Sequence, residues 1–221
     1  MHIKSNPAIL YFGTPVVLIS TKNQNGTDNL APISSIFWLG WRCIIGIGVA
    51  SQTAQNLQRT KQCVLNLPSA NLVEAVNRLA KTTGAYPVPD SKIIKGYRYV
   101  ENKFEVAGLT KEVSETVNAD RVKECPVQME AVVKAVHGIA GEDEKQRGRI
   151  LTFELKITRV YLDERILLDG HPNRVDPNKW KPLIMSFQEF YTLGNKVHQS
   201  TLAEIPESLY NTRDRESANK N

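Results

Sequence analysis

The sequence predicts a mainly β domain in which antiparallel strands form a closed or split barrel, with two or three helices packed outside. Residues 16–20 are a β-branched run followed by the turn dipeptide Asn25-Gly26, so a hairpin returning through residues 27–35 is expected. Residues 149–160 alternate apolar and polar side chains, which is typical of a half-buried strand. Strands and helices do not alternate regularly, so a doubly wound parallel sheet is not expected.

Further elements follow from the same patterns. Strands are predicted at residues 42–49, 63–67 and 128–137, and the last of these pairs with residues 149–160 through an exposed loop at residues 138–148. The remaining segment between 169 and 180 is expected to be irregular.

Two helices are predicted, at residues 54–61 and 69–81. The second has its apolar side chains on one face at 3.6-residue spacing. Asn71 and Glu74 resemble a capping pair at its start, and Gly84 follows its end. The proline-bearing stretch 86–99 is predicted to be a loop.

Composition limits the classes of function. The 221 residues carry 28 Lys and Arg against 23 Asp and Glu, a formal charge of +5 without a basic run, so no nucleic-acid partner is expected. Residues 1–200 are predicted to form one domain and residues 201–221 a loose polar tail. The apolar stretch 36–50 is interrupted by Arg42 and too short to span a bilayer, and residues 1–10 lack a signal-peptide core, so a cytoplasmic protein without a membrane partner is expected.

Motifs for other chemistries are missing from the sequence. Cys43, Cys63 and Cys125 are far apart and form no CxxC, so buried reduced thiols are expected rather than disulfides or a zinc site. The four histidines are dispersed, and no GxxxxGK[ST], HExxH or GxSxG motif occurs. We therefore assign no metal ligand and no catalytic side chain.

One candidate binding segment follows the strand at residues 42–49. Small polar side chains precede the predicted helix 54–61, where backbone N–H groups and the helix dipole favour an anion. Its residues are Ser51, Gln52, Thr53 and Asn56, with Arg59 adding positive charge. Plain helix capping explains the same pattern, and the spacing alone favours that explanation.

A second candidate is the polar end of the predicted hairpin. Its amide and hydroxyl side chains beside a proline suit the polar edge of a heteroaromatic ligand: Asn29, Ala31, Pro32, Ser34 and Ser35. A proline-broken edge strand is the alternative.

Together these segments resemble the flavin reductase-like family, the FMN-binding split barrels of flavoredoxins and of the reductase components of two-component monooxygenases. The order and spacing of the motifs carry the resemblance, from about residue 10 to about residue 195. The matching segments are 15–21, 25–26, 29–35, 51–57, 63–68, 103–110, 124–130 and 181–184, with Tyr191.

The resemblance implies a six-stranded antiparallel Greek-key split β-barrel that forms a homodimer, with FMN in a groove near the subunit interface. It implies that the isoalloxazine and ribityl chain are lined by Asn29, Ala31, Pro32, Ser34 and Ser35. It also implies that the phosphate, with about −1.5 to −2 charges, is held by Ser51, Gln52, Thr53 and Asn56, with Arg59 or Lys61 completing the charge balance.

The function that the resemblance implies is an NAD(P)H-dependent flavin reductase that passes hydride from nicotinamide to flavin and supplies reduced flavin to an oxygenase. One alternative is an FMN-carrying electron-transfer protein, similar to flavoredoxin, that exchanges electrons with another redox protein and has no strong nicotinamide site. A flavin- or haem-binding module without turnover is the third interpretation.

Overall fold

The computed structural model describes residues 1–218 of the chain. The strands are β1 (Phe12–Pro15), β2 (Val17–Lys22), β3 (Asp28–Ile33), β4 (Ile36–Leu39), β5 (Arg42–Gly48), β6 (Gln62–Leu67), β7 (Thr82–Thr83), β8 (Arg98–Tyr99), β9 (Lys111–Glu112), β10 (Arg121–Val122), β11 (Val127–Gly138), β12 (Ile150–Leu162), β13 (Leu167–Leu168), β14 (His171–Val175), β15 (Ile184–Ser186) and β16 (Glu189–Tyr191). The helices are α1 (Gln52–Thr60), α2 (Val73–Leu79), α3 (Asp90–Ile93), α4 (Lys103–Ala107) and α5 (Arg213–Ala218), and four 3-10 turns lie at Ala70–Leu72, Glu164–Ile166, Thr201–Glu204 and Glu207–Tyr210. Among these described helices, none is both long and apolar enough to cross a bilayer.

The main sheet has the strand order β3-β2-β6-β11-β12-β5-β4, and every pair in it is antiparallel. Its two edge strands, β3 and β4, are consecutive in the chain. The predicted class, mainly β with peripheral helices, is confirmed. The count of six strands is not confirmed, because the sheet holds seven: the apolar residues of β4 pair with β5, a hairpin that the sequence patterns did not indicate.

Strand β2 is buried on both faces, which is why its sequence is a continuous apolar run rather than an alternating one. Val17 and Ile19 pack inside the barrel against side chains of β5, β6 and β12. Leu18 points the other way, into a second core formed with α2 and α4. The chain therefore builds two apolar layers on either side of one strand, and the helices cover the outer layer.

The predicted hairpins are confirmed by the strand register. β2 pairs with β3 across the Asn25-Gly26 turn, and β11 pairs with β12 along almost their whole length. Helix α1 begins two residues before the predicted start, because Ser51 is its N-cap and its side-chain oxygen accepts a hydrogen bond from the Ala54 N–H.

The helix predicted over residues 69–81 needs correction. It begins as a 3-10 turn, its α-helical part is only α2, and Asn71 does not cap it, since the N-cap position of α2 is Leu72. The segment does not continue toward Gly84 because residues 82–83 leave the helix and pair in parallel with residues 98–99. That pairing is a long-range contact, which local helical spacing cannot indicate.

Three segments expected to be irregular hold short elements. The loop predicted at residues 86–99 contains α3 and β8, and the stretch 169–180 contains β14, which pairs with β13. The loose tail predicted at residues 201–221 is also corrected for its described part. Helix α5 packs against β12, and its Asp214 carboxylate forms ion pairs with Arg42 (2.8 Å) and Lys156 (3.1 Å). Residues 219–221 of that predicted tail lie outside the described residues.

Glu130 on β11 is a carboxylate with no solvent exposure, and it anchors the segment between β9 and β10. It accepts hydrogen bonds from the backbone N–H groups of Glu115 (2.8 Å) and Thr116 (2.6 Å) and from the Tyr161 hydroxyl (3.1 Å). Burial alone raises the pKa of this carboxyl, but the hydrogen bonds led by the Thr116 side chain outweigh it, and the pKa lies below its usual value.

We predict that Glu130→Gln lowers the free energy of unfolding by about 1–3 kcal/mol at pH 7, because the amide leaves one buried donor unpaired. A lowered folded-state pKa means that the native contribution is present above the ordinary glutamate pKa of about 4.3 and is lost as the pH falls below it. Urea unfolding at pH 7 and pH 3 measures both effects: the gap between wild type and variant narrows in acid. Glu144→Gln, at an exposed carboxylate of the β11–β12 loop, is the control and changes stability by less than about 0.5 kcal/mol; a gap that is equal at both pH values contradicts the assignment.

Candidate functional site

The N-terminus of α1 presents hydrogen-bond donors without acceptors. The backbone N–H groups of Gln52 and Thr53 have no acceptor within residues 1–218, as expected for the first turn of a helix. The Ser51 oxygen already accepts from Ala54, so its hydroxyl hydrogen remains available for donation. This set of donors, at the positive end of a nine-residue helix, suits an anion with several oxygen acceptors.

Beneath this terminus lies a buried polar network that joins α1 to the β2–β3 hairpin. Asn56 Nδ2 donates to Thr21 Oγ1 (3.0 Å) and to Asn23 Oδ1 (2.8 Å). Asn29 Nδ2 donates to Thr53 Oγ1 (3.0 Å). Thr21, Asn29, Thr53 and Asn56 are each at most 3% exposed, so their side chains contact one another rather than solvent.

Two predicted site residues border this network. Gln52 is half-buried and donates from Nε2 to Asn56 Oδ1 (2.9 Å). The exposed Arg59 donates to the backbone carbonyl of Lys22, with a longer contact of 3.4 Å to Asn56 Oδ1. Its guanidinium therefore holds the end of β2 against α1. This contact is more than one helical turn away from the free N–H groups of Gln52 and Thr53.

The second predicted segment runs along the edge of the main sheet. Ala31 and Pro32 are half-buried residues of β3, an edge strand, where a proline costs no ladder hydrogen bond. Ser34 and Ser35 connect β3 to β4, and the Ser35 carbonyl accepts from the Gly46 N–H (2.9 Å). The edge-strand interpretation thus describes Pro32 correctly, while the two serines remain partly accessible.

A segment that the sequence patterns did not single out covers Asn29. A Cβ placed on Gly84 would lie 2.6 Å from Asn29 Oδ1 and 3.2 Å from Gln52 Cγ. Asn29 Oδ1 is buried, and no donor within residues 1–218 reaches it. A side chain at position 84 would displace one of these groups, so Gly84 lies directly against a residue of each predicted binding segment.

Two lysines accompany this covering segment. Lys92 Nζ donates to Thr83 Oγ1 (3.0 Å), and burial lowers its pKa. Lys103, at the start of α4, is 2% exposed; burial, with a smaller effect of the Lys92 charge, lowers its pKa to about 7. No carboxylate of residues 1–218 forms an ion pair with either lysine. Local sequence does not separate these residues from ordinary surface lysines, because their burial depends on contacts between distant segments.

The surface beside Ser35 is apolar and exposed. The Tyr11 hydroxyl hydrogen-bonds the Ser35 hydroxyl (2.9 Å), and the neighbouring Phe12 ring packs edge-on against Phe187 with centroids 4.8 Å apart. Phe37 and Leu39 of β4 point outward on one face and are 52% and 69% exposed. We call Phe12, Phe37, Leu39 and Phe187 the outer apolar surface.

The cysteines and the metal-ligating residues offer no competing site. Cys43, Cys63 and Cys125 are buried free thiols, and burial raises the pKa of Cys43 to about 12. At neutral pH such a thiol is protonated and a poor nucleophile. No group of three His, Cys, Asp or Glu among the described residues is placed to hold a metal ion.

Comparison with known proteins assigns the chain to a family. The family described as "Flavin reductase like domain" matches residues 9–194, so the chain belongs to the flavin reductase-like family. A Bacillus subtilis (strain 168) protein, YdfE, is 37% identical over 198 residues, which are 90% of this chain and 92% of that protein.

Solved structures share the fold. Flavoredoxin of Desulfovibrio vulgaris (Miyazaki F) superposes with a TM-score of 0.73 at 21% identity, over 93% of this chain and 100% of that chain. Nitrilotriacetate monooxygenase component B from Bacillus cereus gives a TM-score of 0.69 at 18% identity, over 90% and 99% of the two chains. The split-barrel architecture and a flavin-binding family are therefore established, and the resemblance noted in the sequence is confirmed.

We predict that Gly84→Ala lowers the free energy of unfolding by about 1–3 kcal/mol, because the added methyl group has to displace Asn29 or Gln52 from the buried network. Thermal and urea unfolding measure the change. Gly138→Ala is the matched control, since nothing lies within 4 Å of a Cβ there. Equal stability of the Gly84 and Gly138 variants would contradict the close packing of residues 82–86 on Asn29.

Proposed function

We propose that this chain is an FMN-binding oxidoreductase of the NAD(P)H-dependent flavin reductase type. The observation that carries the proposal is the donor-only N-terminus of α1, held in place by a buried polar network within a flavin reductase-like fold. When bound, the flavin supplies the redox chemistry and accepts hydride from a nicotinamide. The protein's part is to hold and orient the cofactor, which requires no catalytic acid or nucleophile from the chain.

The phosphate of FMN is assigned to the α1 terminus. Phosphate oxygens act as hydrogen-bond acceptors at neutral pH. The α1 terminus offers three donors without acceptors: the N–H groups of Gln52 and Thr53 and the hydroxyl of Ser51. Thr53 and Asn56 contribute from below, by orienting α1 through their buried side chains. Their role in this proposal is support, whereas the backbone of the first turn makes the contact.

The isoalloxazine is assigned to the partly accessible segment from Ala31 to Ser35. Ser34 and Ser35 offer hydroxyl groups at the point where β3 passes into β4, and Pro32 leaves that edge without an N–H group. Asn29 lies under Gly84, so its proposed role is to hold Thr53 in position next to the cofactor.

Charge balance in this proposal comes from Lys92 and Lys103 rather than from Arg59. Arg59 is engaged with the end of β2, while the two lysines have no carboxylate partner within the described residues. Lys92 is linked to this region by its hydrogen bond to Thr83, which precedes Gly84, and Gly84 lies against Gln52. A bound dianion favours the protonated form of Lys103, whose pKa of about 7 leaves it only partly charged at neutral pH.

A homodimer is part of the proposal. The outer apolar surface lies next to Ser35 and exposes large rings to solvent, which monomeric proteins generally avoid over wide areas. A second copy packed there would cover these phenyl rings and complete the part of the site proposed for the isoalloxazine. The buried free thiols fit a reducing cytoplasm, and the proposed electron acceptor is a separate oxygenase or redox protein.

Stopped-flow mixing of the FMN-loaded protein with NADH and with NADPH tests the function. We expect rapid bleaching of the flavin absorbance with at least one nicotinamide, followed by reoxidation in air. Absent or very slow bleaching with both would favour an electron-transfer role like that of flavoredoxin. A protein that retains flavin but neither accepts nor passes electrons would point to a binding module, and an intense Soret band on purification would indicate haem instead.

We predict that Gln52→Glu weakens FMN binding at least about tenfold, because a carboxylate at the first turn of α1 repels the phosphate. The substitution also removes the Gln52 donor to Asn56 Oδ1, and a Gln52→Met variant, which loses that donor without adding charge, separates this loss from repulsion of the phosphate. Gln55→Glu places the same charge in the first turns but on an exposed position, and serves as the control. Fluorescence titration of FMN measures all three; equal affinity in the two glutamate variants would remove the phosphate from this terminus.

We predict that Phe37→Asp converts the protein from dimer to monomer, because the interface would then bury an unpaired charge. Light scattering after size exclusion measures the mass. Val113→Asp, at a 78% exposed position outside the outer apolar surface, should leave the mass unchanged. A wild-type protein that is monomeric at all concentrations rejects the homodimer.

A further inference from the structure

A cleft that shares no residue with the proposed flavin site lies beside β4 and β12. It has a volume of about 1240 Å³ and opens between β4, β12, β14 and the C-terminal residues 202–218. None of the predicted flavin-binding residues lines it. Its volume exceeds the range of about 300–1,000 Å³ that is typical of small-molecule sites.

The inner wall of the cleft is apolar and aromatic. It continues the barrel core and consists of Trp38, Trp41, Met129, Ile157, Val160 and Leu162. Leu202, Ile205 and Tyr210 of the C-terminal segment face this wall from the other side. Such walls suit a flat hydrocarbon body rather than a hydrated ion.

Two buried polar atoms of the cleft are donors that lack acceptors. Trp38 Nε1 and Arg159 Nε are buried, and neither has a hydrogen-bond partner within residues 1–218. Arg159 Nε forms an ion pair with the largely exposed Glu115 carboxylate at 3.7 Å, which is too long for a hydrogen bond. Buried donors left unpaired are costly, so an acceptor supplied by a ligand is favoured.

The charged side chains that line the cleft are mostly positive. Three arginines line it, Arg159, Arg174 and Arg215, against one glutamate, Glu207, which pairs with Arg174 at 3.0 Å. No carboxylate in the described part of the chain forms an ion pair with Arg215. Arginine and the indole N–H can donate but not accept, so the missing group is an oxyanion.

We propose that this cleft binds an aromatic carboxylate, with its ring against Trp38 and Trp41 and its carboxylate on Arg159 and Arg215. The proposal is independent of the flavin assignment, because the two sites share no residue. The C-terminal segment is then one wall of a binding site, which gives its packing against the barrel a function.

Isothermal titration of the FMN-saturated protein with 2-naphthoate tests the proposal, with 2-naphthalenemethanol as the uncharged analogue. We expect saturable binding of one naphthoate per chain and at least about tenfold weaker binding of the alcohol. Undetectable saturable binding, or equal binding of both compounds, overturns the proposal. Naphthoate binding that is seen with the FMN-free protein and lost on saturation with FMN also overturns it, since the compound would then occupy the flavin site.

Variants of one helix locate the site. Arg215→Gln on α5 should weaken naphthoate binding at least about tenfold, whereas Arg213→Gln, an exposed residue of the same helix outside the cleft, should leave it unchanged. Arg159→Gln should weaken binding to a similar extent, and FMN affinity should stay the same in all three proteins. Equal effects of the Arg213 and Arg215 substitutions would show that only the net charge matters and that the cleft is not the site.

Discussion

The hydrogen bonds between α1 and the β2–β3 hairpin fix the geometry on which the proposed flavin site depends. Asn56 donates to the hairpin at two points, and Asn29 donates back to Thr53 at the start of the helix. Because these groups are buried, each bond broken without replacement costs about 1–3 kcal/mol. Helix α1 therefore cannot rotate or slide on the barrel independently, and its unpaired N–H groups keep one direction. A preorganised donor set of this kind holds an oxyanion better than flexible side chains do.

Much of the fold could be predicted because its strands depend on local patterns. The continuous apolar run of β2 and the strict alternation of β12 each indicate their burial directly. The failures are elements determined by distant contacts. The helix at 69–81 is shortened because Thr82 and Thr83 pair with residues 98–99, and α5 forms where Asp214 meets Arg42, far away in sequence.

The candidate site was predictable as a region but not in the role of each residue. Helix-start chemistry indicated Ser51 and Gln52 correctly as the residues beside free backbone donors. Thr53 and Asn56 are instead on the inner face of α1, and their three-residue spacing, with Leu57 following, is that of a buried helix face. This signal was available in the sequence. The packing of Gly84 on Asn29 could not be predicted from the sequence, because these two residues are 55 positions apart.

Strand β4 connects the two proposed binding regions through the alternation of its side chains. Phe37 and Leu39 face outward beside Ser35, while Trp38 between them faces the cleft. The neighbouring strand holds the register, since Trp38 pairs with Cys43 and Phe37 with Ile44. A shift of one residue would place Trp38 outside and the phenyl ring of Phe37 in the cleft, removing the indole donor from one region and an apolar ring from the other. Both regions therefore depend on the β4–β5 register, and Arg42 at its end is ion-paired to Asp214 of the C-terminal helix that closes the cleft.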